Sequence, residues 1–141
     1  MPWATAVAST EGGFDTTLSQ AAMPFHGHVA SLPYGGLAHA ADEGDRIGAA
    51  VGDDTWVVML ENHGVLVIGS DPAEAWWRLY FLERACQVQI LAHSTGRPTV
   101  AVPEQVVALT ARQAEDDREA AARLFAAVRR RLDRESPGYD R

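Results

Sequence analysis

Histidine is the residue type that could carry chemistry in this chain, and two placements of it stand out. His63 sits in Glu61-Asn62-His63-Gly64, a polar interruption between two apolar runs. Gly64 lets the backbone turn there, or lets a ligand approach closely. A neutral imidazole so placed is a good ligand for zinc or a related divalent metal; it is equally the description of a hydrogen-bonded loop or core histidine. His26-Gly27-His28 is an H-x-H pair, whose spacing puts both imidazoles on one side of an extended segment. Catalytic zinc takes three protein ligands, so this pair makes a site only if His63 joins it, and otherwise consists of surface or hinge histidines. His39 and His93 have no neighbours that would recruit them and read as surface residues.

Other chemistries are excluded by absence. The chain contains no lysine, so a Schiff-base mechanism has no nucleophile. No Gly-rich phosphate loop follows a strand, and no Gly-x-Ser-x-Gly elbow occurs. Cys86 is the single cysteine, which rules out an intrachain disulfide and a cysteine-built zinc site. The net charge of -7 argues against a nucleic-acid partner, because phosphate binding needs a basic face. It suits a small-molecule enzyme or a protein-binding module alike. No apolar run approaches the roughly 20 residues of a membrane span, and the first residues lack the basic region of a signal peptide, so the cytoplasm is the expected compartment.

The elements that must position these histidines are readable in outline. At 141 residues the chain has the size of one domain. Thr55–Leu60 and Val65–Ile68 are short, apolar, β-branched runs bounded by turn residues, the pattern of strands buried on both faces. Joined through Asn-His-Gly they make a hairpin-like unit with a polar tip, and His63 is expected at a strand end with its ring open to a cleft. Asp71, Pro72 and Glu74 signal a helix start with a capping box. Apolar residues at Ala75, Leu79, Leu82, Cys86 and Ile90, with Trp76 and Tyr80 beside them, predict a helix to about His93 that is covered on more than one side. Elsewhere the spacing predicts a short helix over Ala4–Thr10 unable to bury itself alone and a weakly helical Thr17–Phe25. A strand at Val29–Leu32 and a helix over Asp42–Val51 follow. Two further helices are expected at Pro103–Arg112 and Asp116–Leu132, the last with Arg129, Arg130 and Arg131 solvated at its end.

The run Trp56-Val-Val-Met-Leu-Glu-Asn-His-Gly-Val-Leu-Val-Ile-Gly, then Asp71-Pro-Ala-Glu-Ala-Trp and Tyr80-Phe-Leu-Glu-Arg-Ala-Cys-Gln-Val-Gln, resembles the class II aldolase/adducin family. In that family an apolar strand runs into N-H-G and a second strand, and a long helix follows. Pro2-Trp3-Ala4-Thr5-Ala6 resembles the family's Pro-x-Ala-x-Ala. Arg131-Leu132-Asp133-Arg134 with Pro137-Gly138-Tyr139 resembles its C-terminal ending.

The resemblance implies an α/β fold: the latter part of a three-layer α/β/α domain with a central mixed sheet. It implies that His63 is the third metal ligand. The family's H-x-H pair, which supplies the other two, directly precedes Pro-x-Ala-x-Ala, and Met1 falls one residue past its second histidine. An acidic catalytic residue and a substrate loop lie further upstream. Residues 1–141 are therefore expected to be a single, N-terminally incomplete domain, inactive alone, with no catalytic residue assigned. By the same resemblance the cofactor is a divalent metal, zinc foremost, which polarises a carbonyl or hydroxyl and stabilises an enediolate as a C–C bond breaks or forms. Substrates are small hydroxy-carbonyl compounds or sugar phosphates, and the assembly is a homo-oligomer. Two alternatives stay open: a catalytically silent adducin-like interaction module, and a shortened protein that rebuilds a metal site from His26, His28 and His63.

Overall fold

The structure is a computed structural model of the 141-residue chain and describes residues 1–36, 41–116 and 119–140, with only the backbone at 41 and 42. His39 lies outside the described residues. The two apolar runs form the expected hairpin. Strands β2 (Val57–Leu60) and β3 (Gly64–Val67) pair antiparallel, with Val57 opposite Val67 and Leu60 opposite Gly64. On the other side of β2 lies β1 (Val29–Leu32), parallel to it, with Val29 beside Val57 and Leu32 beside Leu60. A parallel neighbour requires a crossover, and helix α2 (Ala41–Ala50) lies within it. The result is a mixed three-stranded sheet of order β1-β2-β3 in an α/β fold.

One face of this sheet makes the core. Val57 and Met59, with Val29, Val65 and Val67 alongside, pack against helices α1 (Pro2–Ala8) and α3 (Pro72–Ser94) through Ala4, Val7, Ala8, Leu82 and Cys86, and against Phe25. Fully burying a side chain such as Phe25 or Leu82 contributes roughly 1.5–3 kcal/mol. The short N-terminal helix thus acquires from α3 the cover it cannot make by itself. On the opposite face Val58 is fully buried, whereas Leu66, its partner on β3, is 36% exposed. The expectation of burial on both faces therefore holds for β2 and fails for β3. Among the described residues the central strand has a strand on each side, and β3 pairs with β2 alone.

Helix α3 starts as its sequence signals. The Asp71 carboxylate accepts from the Glu74 amide at 2.8 Å, Pro72 takes the first helical position, and Glu74 accepts from the Ser70 amide and hydroxyl. At about 35 Å long for its 23 residues, it buries Leu82, Ala85 and Cys86 toward the sheet. The expected cover on more than one side is present, from α1 and the sheet on one side and from helix α5 (Glu119–Glu135) on another, while Tyr80, Val88 and Leu91 form an exposed stripe. No described helix is long and apolar enough to cross a membrane.

Helix α1 starts and stops two residues before the expected Ala4–Thr10, and three other elements differ further. Thr17–Phe25 is not a weak helix but a run of turns ending in a 3-10 turn at Met23–Phe25. The Asp15 carboxylate takes the Thr17 amide and hydroxyl into a local turn, which competes with helix formation. Helix α4 (Glu104–Asp116) outlasts the expected Arg112, and α5 (Glu119–Glu135) begins later and ends beyond Leu132. In α5 the less exposed stripe is Ala121, Leu124, Phe125, Val128 and Leu132, with Phe125 edge-on to Trp76 of α3 at 6.2 Å, and Arg129–Arg131 are exposed as expected.

Candidate functional site

The turn that carries His63 is fixed by backbone bonds from three directions. The Glu61 amide donates to the Leu32 carbonyl at 3.0 Å, tying the turn to the end of β1. The Asn62 amide donates to the Ala8 carbonyl at 3.1 Å, tying it to α1, and the His63 amide closes onto Leu60 at 3.0 Å. Asn62 takes φ of 55°, a left-handed conformation that asparagine tolerates better than most residues. Gly64 has φ of 154°, and a Cβ there would meet the Thr5 hydroxyl at 3.6 Å. The turn therefore runs back along α1, from Ala8 toward Thr5.

His63 lies exposed at this tip, directly after β2, and among the described residues no side chain hydrogen-bonds its ring. The expected strand-end position and open ring are both present. A groove of about 390 Å3 beside the turn is lined by Glu61 and Asn62, with Ser31, Met59 and the segment from Ala8 to Gly13. His63 is next in sequence to the wall residue Asn62 and is not itself among the lining residues.

The start of α1 is held in place relative to this turn by a residue that spacing did not flag. Glu83 of α3 accepts from the Trp3 amide at 3.2 Å and the Ala4 amide at 2.9 Å, one carboxylate oxygen to each. Met1, in the N-cap position, supplies no side-chain acceptor, so Glu83 fills that role from another helix. The chain entering α1 is thereby fixed close to Thr5, Gly64 and His63.

His26 and His28 lie elsewhere. His28 precedes β1 and its carbonyl accepts from the Trp56 amide at 2.9 Å, so it is at the opposite end of β2 from His63. Roughly 13 Å of strand separates those ends. The structure does not bring the three histidines together, and no cluster of three or more metal-ligating side chains occurs among the described residues. Instead each histidine of the pair meets a carboxylate of α4: His26 Nε2 with Glu104 and His28 Nε2 with Glu115, both at 2.9 Å. His93 is exposed, as expected.

Around His28 lies a second cavity, of about 420 Å3, walled by Trp56, Trp77, Arg78, Ser70 and Glu115 among others. The His28 ring stacks on Trp56 at 3.9 Å and 3°, and the Arg78 guanidinium sits 4.0 Å from the same ring. Arg78 donates to the Ile68 carbonyl and to Glu74. Burial pushes the Glu74 carboxyl up, but the Ser70 amide and hydroxyl and the Arg78 charge outweigh it, and the group ends below its ordinary value. The two histidine–carboxylate pairings do not follow from local spacing, since Glu104 and Glu115 lie 78 and 87 positions from their histidines.

The profile of the Class II Aldolase and Adducin N-terminal domain matches residues 1–90. A Caulobacter vibrioides protein, provisionally named an aldolase class 2 protein, is 38% identical over 113 residues, which are 75% of this chain and 42% of that one. A crystal structure of an aldolase II superfamily protein from Pseudomonas syringae superposes with a TM-score of 0.89 at 34% identity, over 99% of this chain and 56% of that one. The L-fuculose 1-phosphate aldolase of Glaciozyma antarctica is similar with a TM-score of 0.70 at 25% identity, over 94% of this chain and 50% of that one. The chain spans less than half the length of the curated relatives it matches first.

Proposed function

The chain belongs to the class II aldolase and adducin family, and from that premise we propose that it forms the His63-bearing portion of a cytoplasmic, metal-dependent lyase. The observation that carries this reading is His63 itself: exposed at a rigid turn, its ring without a hydrogen-bond partner among the described residues, beside the helix start that Glu83 holds. An exposed imidazole at a fixed turn, with its ring nitrogens unspent, has one to offer a metal. One imidazole is one donor of the three that a catalytic site needs, so the remaining ligands and the acid–base group come from outside residues 1–141. The segment leading into α1 is the nearest route for them. The metal, zinc foremost, supplies polarisation of a substrate carbonyl or hydroxyl while a C–C bond breaks or forms. His63 contributes one nitrogen to hold it. Substrates of this reading are small hydroxy-carbonyl compounds or sugar phosphates, in keeping with the named activity of the Glaciozyma antarctica relative.

The test is metal content and retro-aldol turnover of the native gene product purified from its host, with and without His63→Ala. Loss of both in the variant, with the fold intact by circular dichroism, supports the reading. Full metal content in His63→Ala rejects it.

A second reading, a catalytically silent adducin-like module, is favoured by the exposed stripe Tyr80, Val88 and Leu91 on α3. Both readings include self-association, with the homo-oligomer contact at this stripe. Light scattering on the 141-residue chain, compared with Val88→Glu/Leu91→Glu, tests the contact. A larger species that the double variant reduces supports it. A monodisperse monomer with a cooperative melt shows that the chain closes its own core and removes the contact.

A further inference from the structure

Helix α4 is fastened to the rest of the chain in three places. Its middle is apolar, with Val107 and Ala111 buried where it packs over the Met23–Phe25 turn. Its two ends are polar, Glu104 with His26 and Glu115 with His28.

The two polar ends are not equivalent in proton chemistry. His26 Nδ1 faces the Thr16 hydroxyl at 3.0 Å, a group that donates or accepts. A neutral ring with its proton on Nε2 donates to Glu104 and accepts from Thr16, so both bonds survive without a charge. His28 has no such freedom. Its Nδ1 faces the Asp54 carbonyl oxygen at 2.7 Å and its Nε2 faces the Glu115 carboxylate at 2.9 Å. Neither oxygen carries a hydrogen, so the two bonds coexist only on the imidazolium. A neutral ring has one N–H and keeps one of them.

The surroundings decide which bond yields. The His28 carbonyl accepts from the amides of Trp56 and Val57 at 2.9 and 3.1 Å, so Asp54 and His28 are joined through the sheet. Glu115 belongs to a separate helix and is the partner free to leave. Among the described residues, the charged groups facing His28 are Glu115 from α4, Asp53 and Asp54 from the turn before β2, and, across Trp56, Arg78 of α3 with Glu74 among its partners. His28 and Arg78 both lie within about 4 Å of the Trp56 ring centre, so they occupy its opposite faces. The face of an indole favours a cation, and the carboxylates reinforce that preference against the Arg78 charge.

We propose that His28 is a proton-operated latch: as imidazolium it holds the Glu115 end of α4 across the 420 Å3 cavity, and on losing a proton it releases that end. Ala114 and Glu115 are walls of the cavity, together with Ala121 of α5. Release therefore opens the space beside Trp56, Trp77 and Arg78, while His26 keeps the Glu104 end and Val107 keeps the middle. The latch is closed on the acid side and open on the basic side.

Amide hydrogen exchange on the intact chain, corrected for the intrinsic pH dependence of exchange, tests it. From pH 5.5 to 8, protection at Arg112–Asp116 is expected to fall about tenfold, the scale of one lost charge-assisted bond, while Val107–Ala111 changes little. Glu115→Gln replaces the carboxylate by an amide that pairs with either ring form, and is expected to abolish the pH dependence. Nitrogen-15 spectra of the wild-type histidines supply a readout independent of any variant: both His28 nitrogens protonated when the helix end is protected. Unchanged protection across the range, a Glu115→Gln response as large as the wild type, or a singly protonated His28 in the protected state would each overturn the latch.

Discussion

Glu83 and Ala4, 79 positions apart, meet at 2.9 Å, with a carboxylate oxygen from the middle of α3 accepting a first-turn amide of α1. The other oxygen takes the Trp3 amide. Helix starts leave amides without intrahelical partners, and a negative charge is favourable there. Glu83→Ala is expected to cost about 1–3 kcal/mol in urea unfolding. Glu83→Gln is expected to cost less, because its amide oxygen still accepts one of the two bonds. A loss under about 0.5 kcal/mol for the alanine variant would show that Val7 and Ala8 packing alone holds α1.

His63→Ala is expected to leave the stability of the chain within about 0.5 kcal/mol, because the side chain is exposed. The same chain is expected to bind zinc weakly and to show no lyase turnover, since one imidazole is well short of a catalytic ligand set. Calorimetric titration checks the first point and a retro-aldol assay the second. Tight stoichiometric zinc binding, lost in both His26→Ala and His63→Ala, would restore the rebuilt-site alternative. Chelator-sensitive turnover by the chain would place the missing groups within it.

Gly69 and Gly48 are expected to respond oppositely to alanine. A Cβ on Gly69 would lie 2.5 Å from the Ala75 backbone nitrogen, where α3 turns in against β3. Gly69→Ala forces that junction apart and is expected to cost about 1–3 kcal/mol. Gly48 lies inside α2 with nothing within 4 Å of the added carbon, so Gly48→Ala is expected to add about 0.5–1 kcal/mol. Thermal melts of the two variants, run together, compare junction against helix directly. Equal effects would show that the α3–β3 approach is looser than described.

Cys86 is fully buried, and burial, followed by the nearby Glu83 charge, pushes its thiol up to about 12. At neutral pH the reactive thiolate is scarce and inaccessible. A thiol reagent is therefore expected to label Cys86 at the rate of global unfolding, rising in step with urea. Rapid labelling without denaturant would reveal local opening between α1 and α3.

The parts of the fold visible in sequence were those decided by neighbours a few positions away. Asp71, Pro72 and Glu74 announce α3 because capping is local, and the β-branched runs around Asn62-His63-Gly64 announce the hairpin for the same reason. His63 stands out as a candidate because its motif is contiguous. What stayed hidden depends on partners far along the chain. Glu83 looks like one more helical glutamate until α1 arrives above it, and His28 becomes a partner of Glu115 only when α4 is laid over the Met23–Phe25 turn. Leu66 has the residue type of a buried strand, and its exposure depends on how many strands flank it, which no pattern within β3 encodes.

The dependence of α1 on Glu83 also sets a schedule for synthesis. A ribosome adds about 5–20 residues per second, so after Ala4 is made, roughly 4–16 seconds pass before the carboxylate that caps its helix exists. A helix of seven residues is too short to persist in water by itself. Through that interval its apolar side, Val7 with Ala4 and Ala8, is uncovered in the nascent chain, a stretch that a holding chaperone would recognise. The helix closes only once the Glu83 turn of α3 has been made, so α1 becomes native together with an element translated long after it.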